Sequence, residues 1–201
     1  GKQSFDIFDM HFYGFAGSQA ELKDNILAYQ RMLAANGFGA QIEIWLSETG
    51  TYTGQPVTPV NAPPQTEDQQ AAELVRRFTV ALGYGLTRVS WARPYENYRY
   101  SEVENGFYDN AGLIFNGIGP EAARGVKAGT TKEAWYAYRT LIRIVSGFRE
   151  AAYVAPGVTV FRFDAERSPI YVVSDPDAGV ALNQALPASA RVVVGSFSGS
   201  A

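Results

Sequence analysis

The sequence predicts an α/β fold of parallel strands and helices, followed by a small antiparallel β appendage. Two observations lead to this prediction. Over residues 1–150, an apolar strand pattern and an amphipathic helix pattern alternate three times, which is typical of parallel strands joined by helical crossovers. Over residues 151–201, the pattern changes to short β-rich runs separated by Pro, Gly and Asp. We therefore predict two parts, an α/β part over 1–150 and a β-rich appendage over 151–201.

The first strand and helix open the chain. Residues 5–14 read as an apolar strand with polar residues inserted towards its end. Residues 18–37 are expected to form a helix, because apolar side chains recur there at helical spacing, at Leu22, Ile26, Tyr29 and Leu33. Ser18 and Glu21 have the spacing of a capping box, which predicts that the helix begins at Ser18.

Two further strand–helix pairs follow in the same order. Residues 40–48 and 86–92 are predicted strands, and residues 66–85 and 130–147 are predicted helices. Each of these helices opens on a Thr that is followed three residues later by Gln or Glu, a capping-box spacing, at Thr66/Gln69 and Thr130/Glu133.

Two connections are longer than such folds need, namely residues 49–65 and 93–129. Both leave the C-terminal ends of predicted parallel strands, where α/β proteins bind their ligands. Within the second connection, residues 106–117 are consistent with a hairpin. In the appendage, the predicted antiparallel strands are residues 159–163, 170–173 and 191–194.

Composition excludes several classes of function. The formal net charge of -3 gives no basic footprint for nucleic acid. The chain has no cysteine and one histidine, so disulfides, cysteine metal sites and multi-histidine metal sites are excluded, and we predict no cofactor. No apolar run approaches the ~20 residues that span a bilayer, so we expect no membrane partner. No signal peptide opens the sequence, which leaves the compartment undecided.

Polar and aromatic side chains collect at the predicted strand ends. Successive side chains of a strand alternate between its two faces. We therefore expect one shared face to carry His11 and Tyr13 from the first strand, Glu48 with Ile42, Ile44 and Leu46 from the second, and Trp91 with Val89 from the third. A carboxylate, an imidazole, a phenol and an indole together suit a sugar site. The plain alternatives remain open: a solvated rim charge at Glu48, a structural His11, and core aromatics at Tyr13 and Trp91.

These motifs resemble one enzyme family. His-x-Tyr at residues 11–13, Trp-Leu-Ser-Glu-Thr-Gly at 45–50 and Ser-Trp-Ala at 90–92 resemble strands six, seven and eight of the clan A glycoside hydrolases. Those are retaining enzymes with a (β/α)8, or TIM, barrel. The resemblance implies that Glu48 is the catalytic nucleophile, that His11 and Tyr13 bind substrate or orient Glu48, and that Trp91 lies under the sugar. It also implies a carbohydrate substrate and a β extension after the last helix.

The chain also departs from the family pattern. Three strands are expected where a complete barrel has eight, so we expect a partial TIM barrel, the C-terminal half. No second carboxylate has motif support as the acid/base, since Glu43 is expected on the strand face opposite Glu48. Three loop glutamates, Glu96, Glu102 and Glu104, have no predicted position. We expect the chain to need a missing N-terminal half-barrel or to self-associate, because Ile42, Ile44, Leu46 and Val89 would otherwise face solvent. The alternative function is a non-catalytic carbohydrate-binding or structural fragment.

Overall fold

A parallel three-stranded sheet forms the centre of the α/β part. The computed structural model describes residues 5–39, 42–59, 61–97, 105–155, 158–164 and 169–173. The sheet has the order β1-β2-β3 and consists of β1 (Ile7–Tyr13), β2 (Glu43–Gly50) and β3 (Arg88–Trp91). Its helices are α1 (Gln19–Ala35), α2 (Glu67–Gly83), the short α3 (Phe107–Asn110) and α4 (Gly119–Ala123), and α5 (Glu133–Val145). The predicted α/β class and the parallel strands are confirmed, and no barrel is closed by the residues described.

A separate antiparallel sheet follows α5. It consists of β4 (Glu150–Ala155), β5 (Val158–Asp164) and β6 (Pro169–Val173), in that order. The predicted strands at 159–163 and 170–173 are confirmed, whereas 191–194 lies outside the described residues. This sheet packs on α2 through Phe161, because a Cβ added at Gly83 would lie 1.9 Å from the Phe161 ring. Gly83 is thus the residue that lets the two elements approach.

One face of the parallel sheet is covered by helices, and the other carries mainly polar and charged side chains together with the exposed Ile7. Met10 and Phe12 of β1 and Ile44 and Leu46 of β2 are buried in one core with apolar residues of the helices, among them Leu22, Ile26, Leu74, Phe78 and Leu141. Removing these side chains from water is the main driving force for docking the helices on the sheet. No helix in the described part of the chain has the length and apolarity to cross a membrane.

A β-bulge at Ser47 changes which side chains share a face. Met10 pairs with Leu46, but His11 pairs with Glu48, so Ser47 is an extra residue in β2. The extra residue reverses the alternation: Ile44 and Leu46 stay in the core, and Glu48 joins the open face. The expectation that Ile42, Ile44, Leu46 and Glu48 share one face was therefore wrong. Ile42, Ile44 and Leu46 are buried, and Val89 packs partly buried against the core, so they do not form an exposed apolar surface.

The open face of the sheet carries polar and charged groups. The Trp45 ring lies under the Arg88 guanidinium, whose carbon is 4.6 Å from the ring centroid. Its Nε1 donates to Glu43 Oε2 at 2.8 Å. Glu43 therefore does not lie on the face opposite Glu48, because the bulge places both carboxylates on the open face.

Two of the three predicted helix caps differ from expectation. The Thr66/Gln69 capping box is present at the start of α2 and is confirmed. Ser18 makes no cap hydrogen bond, since its hydroxyl donates to Phe15 O at 2.7 Å and to Glu73 Oε1 at 3.3 Å. The last long helix begins at Glu133 rather than at Thr130, and its first backbone N–H donates to Glu67 Oε2 of α2 at 2.9 Å. Tertiary contacts have replaced local caps at both sites.

Candidate functional site

The centre of the site is a hydrogen bond between the ends of two neighbouring strands. The Tyr13 hydroxyl at the end of β1 donates to Glu48 Oε2 of β2 at 2.5 Å. The Glu48 side chain is 46% exposed, so its carboxylate is held by a protein donor and is still reachable from solvent. Both residues lie at the C-terminal edge of the parallel sheet, the edge at which α/β folds place ligand sites.

His11 extends this pair along the open face. Its Nδ1 lies 3.6 Å from Glu48 Oε2, and its Nε2 lies 3.5 Å from Asp9 Oδ2. Asp9 is itself fixed by Ser47, whose hydroxyl and backbone N–H donate to the Asp9 carboxylate at 2.8 Å and 3.3 Å. The imidazole contacts are longer than ordinary hydrogen bonds, and His11 is half-exposed, so it can turn towards a ligand hydroxyl.

The surroundings of Tyr13 keep its hydroxyl protonated, so that it acts as a hydrogen-bond donor. Burial, and then its hydrogen bonds to Glu48 and Tyr108, raise the pKa of Tyr13 well above its usual range. The phenol therefore stays neutral at any pH at which a protein works, and it keeps its proton directed at the Glu48 carboxylate.

The structure does not bring Trp91 into this group. Trp91 pairs with the buried Thr49 and belongs to the helix-side core, where its Nε1 donates to Ala111 O at 3.0 Å. The side chain is buried, so it presents no open indole face to a sugar beside Glu48. The bulge at Ser47 is the cause, because it moved Glu48 off the face that Trp91 shares with Leu46.

Two aromatic residues that the sequence pattern did not single out lie beside Tyr13. The rings of Phe107 and Tyr108 meet the Tyr13 ring edge-on, at centroid distances of 5.6 Å and 5.3 Å. Both belong to α3, so the hairpin expected at 106–117 was wrong. The available signal was the turn chemistry: Asp109 accepts the Gly106 N–H at 2.8 Å and starts a helical turn.

A cleft opens next to these rings. It is open to solvent and has a volume of about 440 Å³, and its lining includes Tyr13, Phe15, Phe107 and Tyr108, with Ser18 and Glu21 as polar members. A cleft of this size, with an aromatic half and few polar groups, has room for one small-molecule ring.

A buried ion pair fixes the strand ends that carry Tyr13 and Glu48. Arg77 of α2 donates to Glu73 Oε1 at 2.9 Å, and both side chains are fully buried. The same guanidinium donates to Gly50 O at 2.6 Å, just beyond Glu48, and to Phe15 O at 3.2 Å, just beyond Tyr13. Arg77 therefore ties together the backbones that follow the two site residues.

A second buried pair fixes the long connections. Lys132 Nζ lies 2.5 Å from Glu96 Oε1 and also donates to Thr53 Oγ1 and Asn110 O, at 2.8 Å and 2.9 Å. Burial lowers the pKa of Lys132 and raises that of Glu96. Glu96 is thus committed to the scaffold and is not an acid/base partner for Glu48, while Glu102 and Glu104 lie outside the described residues.

Comparisons with known proteins add one loose likeness. The chain is similar to a solved β-glucuronidase of Faecalibacterium prausnitzii, with 12% identity and a TM-score of 0.44. The match covers 70% of this chain and 22% of that one. No protein-family model matches the chain, and no curated protein matches it. A structural likeness at this level does not assign the chain to a family.

The chemistry open to the site follows from its groups. A carboxylate held by a neutral phenol can act as a nucleophile or can stabilise a developing positive charge. Among the described residues, no group of three or more His, Asp or Glu side chains could hold a metal ion. The Glu48 carboxylate and its phenol donor Tyr13 are the polar groups that the structure joins at this edge.

Proposed function

We propose that this chain carries the nucleophile half of a retaining glycosidase site, with Glu48 as the nucleophile. The observation that supports this best is the 2.5 Å hydrogen bond from Tyr13 to a half-exposed Glu48 at the C-terminal edge of a parallel sheet. In this proposal, Glu48 attacks the anomeric carbon of a carbohydrate and forms a glycosyl-enzyme, which water then hydrolyses.

Each residue beside Glu48 has a role in this proposal. Tyr13 orients the Glu48 carboxylate so that its other oxygen, Oε1, faces the substrate. His11 contacts a sugar hydroxyl. The aromatic surface predicted at Trp91 is supplied instead by Tyr108 and Phe107, whose rings flank Tyr13. The order of His11, Tyr13 and Glu48 along the chain, which resembles the clan A glycoside hydrolases, supports the same proposal.

The acid/base belongs to a second carboxylate, which in retaining enzymes lies ~5–5.5 Å from the nucleophile. Glu96 does not fill this role because it is paired with Lys132. We propose that it comes from a further part of a (β/α)8 barrel, in line with the partner half expected from the sequence. Light scattering of the chain alone and with such a half would test that association.

A trapping experiment tests the nucleophile without the acid/base. Fluoride leaves a sugar without needing a proton, so 2-deoxy-2-fluoroglycosyl fluorides should label Glu48 in the chain as it stands. Gluco, galacto, manno, xylo and uronyl reagents are each incubated with the protein, and the adduct is located by peptide mass mapping. We expect labelling at Glu48 that falls by at least about a thousandfold in Glu48→Gln.

Glu43→Gln is the matched control, because it removes a carboxylate from the same strand and the same open face. It should leave labelling unchanged. An adduct on another residue, or equal labelling of Glu48→Gln, would remove the nucleophile assignment.

The alternative is a carbohydrate-binding fragment without turnover. One observation favours it: the aromatic cleft beside Tyr13 could hold a sugar ring, while the loop carboxylate Glu96 is occupied elsewhere. Ligand-observed NMR separates the two functions. Binding of a sugar together with no labelling by any of the five reagents would support the fragment.

A further inference from the structure

The middle strand of the parallel sheet has one residue more than either neighbour near its end. Two levels of paired residues run through all three strands: Met10, Leu46 and Val89 form one, and Phe12, Thr49 and Trp91 form the other. Between these levels β1 and β3 each have a single residue, whereas β2 has two, Ser47 and Glu48. Only one of the two can stand opposite His11, and the other is the extra residue of the bulge.

Both levels are fixed, so the surplus residue cannot leave this part of β2. Leu46 is fully buried in the core. Thr49 is also fully buried, and its hydroxyl accepts from Arg77 Nη1 at 3.3 Å while its carbonyl accepts the Ala92 N–H at 2.8 Å. Sliding β2 past its neighbours would break these contacts. What can vary is which of the two residues between the levels is the extra one.

The choice of the extra residue decides the direction of Glu48. In the structure Ser47 is extra, and Glu48 stands opposite His11 on the open face of the sheet. If Ser47 stood opposite His11 instead, alternation would direct Glu48 to the helix side, together with Thr49. A shift of the bulge by one residue would thus remove the carboxylate from the site without any change in the sequence.

Asp9 makes the contacts that distinguish these two arrangements. Its carboxylate accepts from the Ser47 hydroxyl at 2.8 Å and from the Ser47 backbone N–H at 3.3 Å. The extra residue of a bulge is left unpaired in the ladder, so its N–H needs another acceptor, and Asp9 supplies one. Asp9 pairs with Trp45, before the bulge, and therefore holds Ser47 back from the place opposite His11.

We propose that Asp9 is a positioning residue for Glu48: by binding both groups of Ser47, it keeps the Glu48 carboxylate on the open face. Its consequence for catalysis rests on the proposed function, because Glu48 must lie on that face to receive the Tyr13 hydrogen bond and to reach a substrate. The charge of Glu48 favours the same face, since the helix side is apolar. The contribution of Asp9 is therefore measured most directly when residue 48 carries no charge.

A thiol at position 48 reports the direction of this side chain. The chain has no cysteine, so Glu48→Cys introduces a single thiol and removes the charge at the same position. Its reaction with methyl methanethiosulfonate, a small neutral reagent, is followed by mass spectrometry at one pH. Adding Asp9→Ala should slow this reaction by about tenfold, because the thiol then turns towards the helices. Loss of the Asp9 charge alone would favour the thiolate and speed the reaction, so slowing reports burial.

Two further variants separate hydrogen bonding from charge. In the Glu48→Cys chain, Asp9→Asn keeps an oxygen that accepts from Ser47 and should hold the rate within about threefold. Ser47→Ala removes the shorter of the two bonds, keeps the residue count, and should give an intermediate slowing even if Asp9→Ala does not fold. Glu43→Ala is the matched control on the same open face, since Glu43 binds Trp45 and Thr87 rather than Ser47, and it should leave the rate unchanged.

The thiol test stands apart from the test of the nucleophile. In the chain that keeps Glu48, Asp9→Ala should slow labelling by fluoroglycosyl fluoride about tenfold, and Asp9→Asn should slow it less. Thiol reactivity in Asp9→Ala within about twofold of its parent, or equal slowing by Asp9→Ala and Asp9→Asn, would overturn the inference. A wild-type chain that is not labelled, combined with the expected thiol rates, would remove the nucleophile and keep Asp9 as the residue that directs position 48.

Discussion

The buried and the exposed charges at the C-terminal edge of the sheet are arranged differently. Arg77–Glu73 and Lys132–Glu96 are out of solvent, and their donors also bind backbone carbonyls or hydroxyls of the surrounding loops. Glu48 and His11 are half-exposed, and the imidazole contacts are long. A charge buried with all its bonds made holds the structure, whereas a charge with an unused oxygen at the surface can act on a ligand. Substitutions at the buried pairs should therefore lower the stability of the fold, whereas substitutions around the exposed Glu48 should mainly change its reactivity.

The largest effect is expected at Arg77. Arg77→Met leaves Glu73 buried without its counter-ion and releases the carbonyls of Phe15 and Gly50, so it should lower the free energy of unfolding by about 3–5 kcal/mol. Urea unfolding followed by circular dichroism measures this loss. The double variant Glu73→Leu with Arg77→Met should recover part of it, because no charge is then stranded. A loss below about 1 kcal/mol in the single variant would show that the buried Arg77–Glu73 pair stabilises the fold no more than a surface ion pair does.

Lys132→Met should lower the free energy of unfolding somewhat less than Arg77→Met does, and the size of the loss should depend on pH. The pKa of Glu96, already raised by burial, rises further without Lys132. A carboxyl whose folded pKa lies above its unfolded value of ~4.3 stabilises the fold at low pH and loses that contribution as pH rises. The deficit relative to wild type should therefore be about 3 kcal/mol near pH 8 and smaller near pH 5. Thermal melts at both pH values measure it, with the exposed Lys127→Met as control. A deficit that grows on acidification would contradict this account.

Tyr13→Phe should affect chemistry more than stability. Removing the hydroxyl leaves Glu48 without its phenol donor, so labelling by fluoroglycosyl fluoride should slow by about tenfold, while the free energy of unfolding changes by about 1 kcal/mol or less. Tyr136→Phe makes the same chemical change on α5, where the hydroxyl accepts from Thr131, and should leave the labelling rate unchanged. Wild-type labelling in Tyr13→Phe would show that the phenol does not orient Glu48.

The smallest effect is expected at Glu133, which lies between the two classes. A hydrogen bond shared with Asp68, aided by burial, raises the pKa of Glu133 to about 7. Its contribution to stability is present below ~pH 4.3 and is lost as pH rises through 7. Glu133→Gln should therefore stabilise the chain near pH 8 and should be neutral near pH 4. The gain near pH 8 should be at most about 1 kcal/mol, because Glu133 is partly exposed and solvent screens its charge. Differential scanning calorimetry tests this, and an equal gain at both pH values would exclude titration as the cause.

Local sequence patterns predicted the long helices, most of the strands, and the grouping of His11, Tyr13 and Glu48 at one edge of the sheet. Helices and strands were found because hydrophobic periodicity is a property of neighbouring residues. His11, Tyr13 and Glu48 were placed together because parallel strands end at one edge. The side-chain faces of β2 could not be predicted, since the bulge at Ser47 depends on how β2 pairs with β1. That single shift explains why Trp91, expected on the same face as Glu48, lies on the helix side of the sheet instead.

The paths of the long loops could not be predicted from local sequence either, because they too depend on contacts between distant parts of the chain. Phe107 and Tyr108 lie in a connection whose path is fixed by Lys132 and Asn110, contacts between residues distant in sequence. Nothing in the immediate neighbourhood of Tyr108 encodes that its ring will lie beside Tyr13. Distant buried pairs therefore decide which loop residues reach the site.

The bulge in β2 makes the position of Glu48 depend on a count of residues. Deleting Ser47 would remove the extra residue and the bulge together, so Glu48 would follow Leu46 directly and, by alternation, would still lie on the open face opposite His11. If β2 instead paired regularly with Ser47 retained, Glu48 would share the face of Leu46 and point towards the helices. Deletion of Ser47 should therefore preserve the direction of Glu48, whereas loss of the bulge without loss of a residue should reverse it.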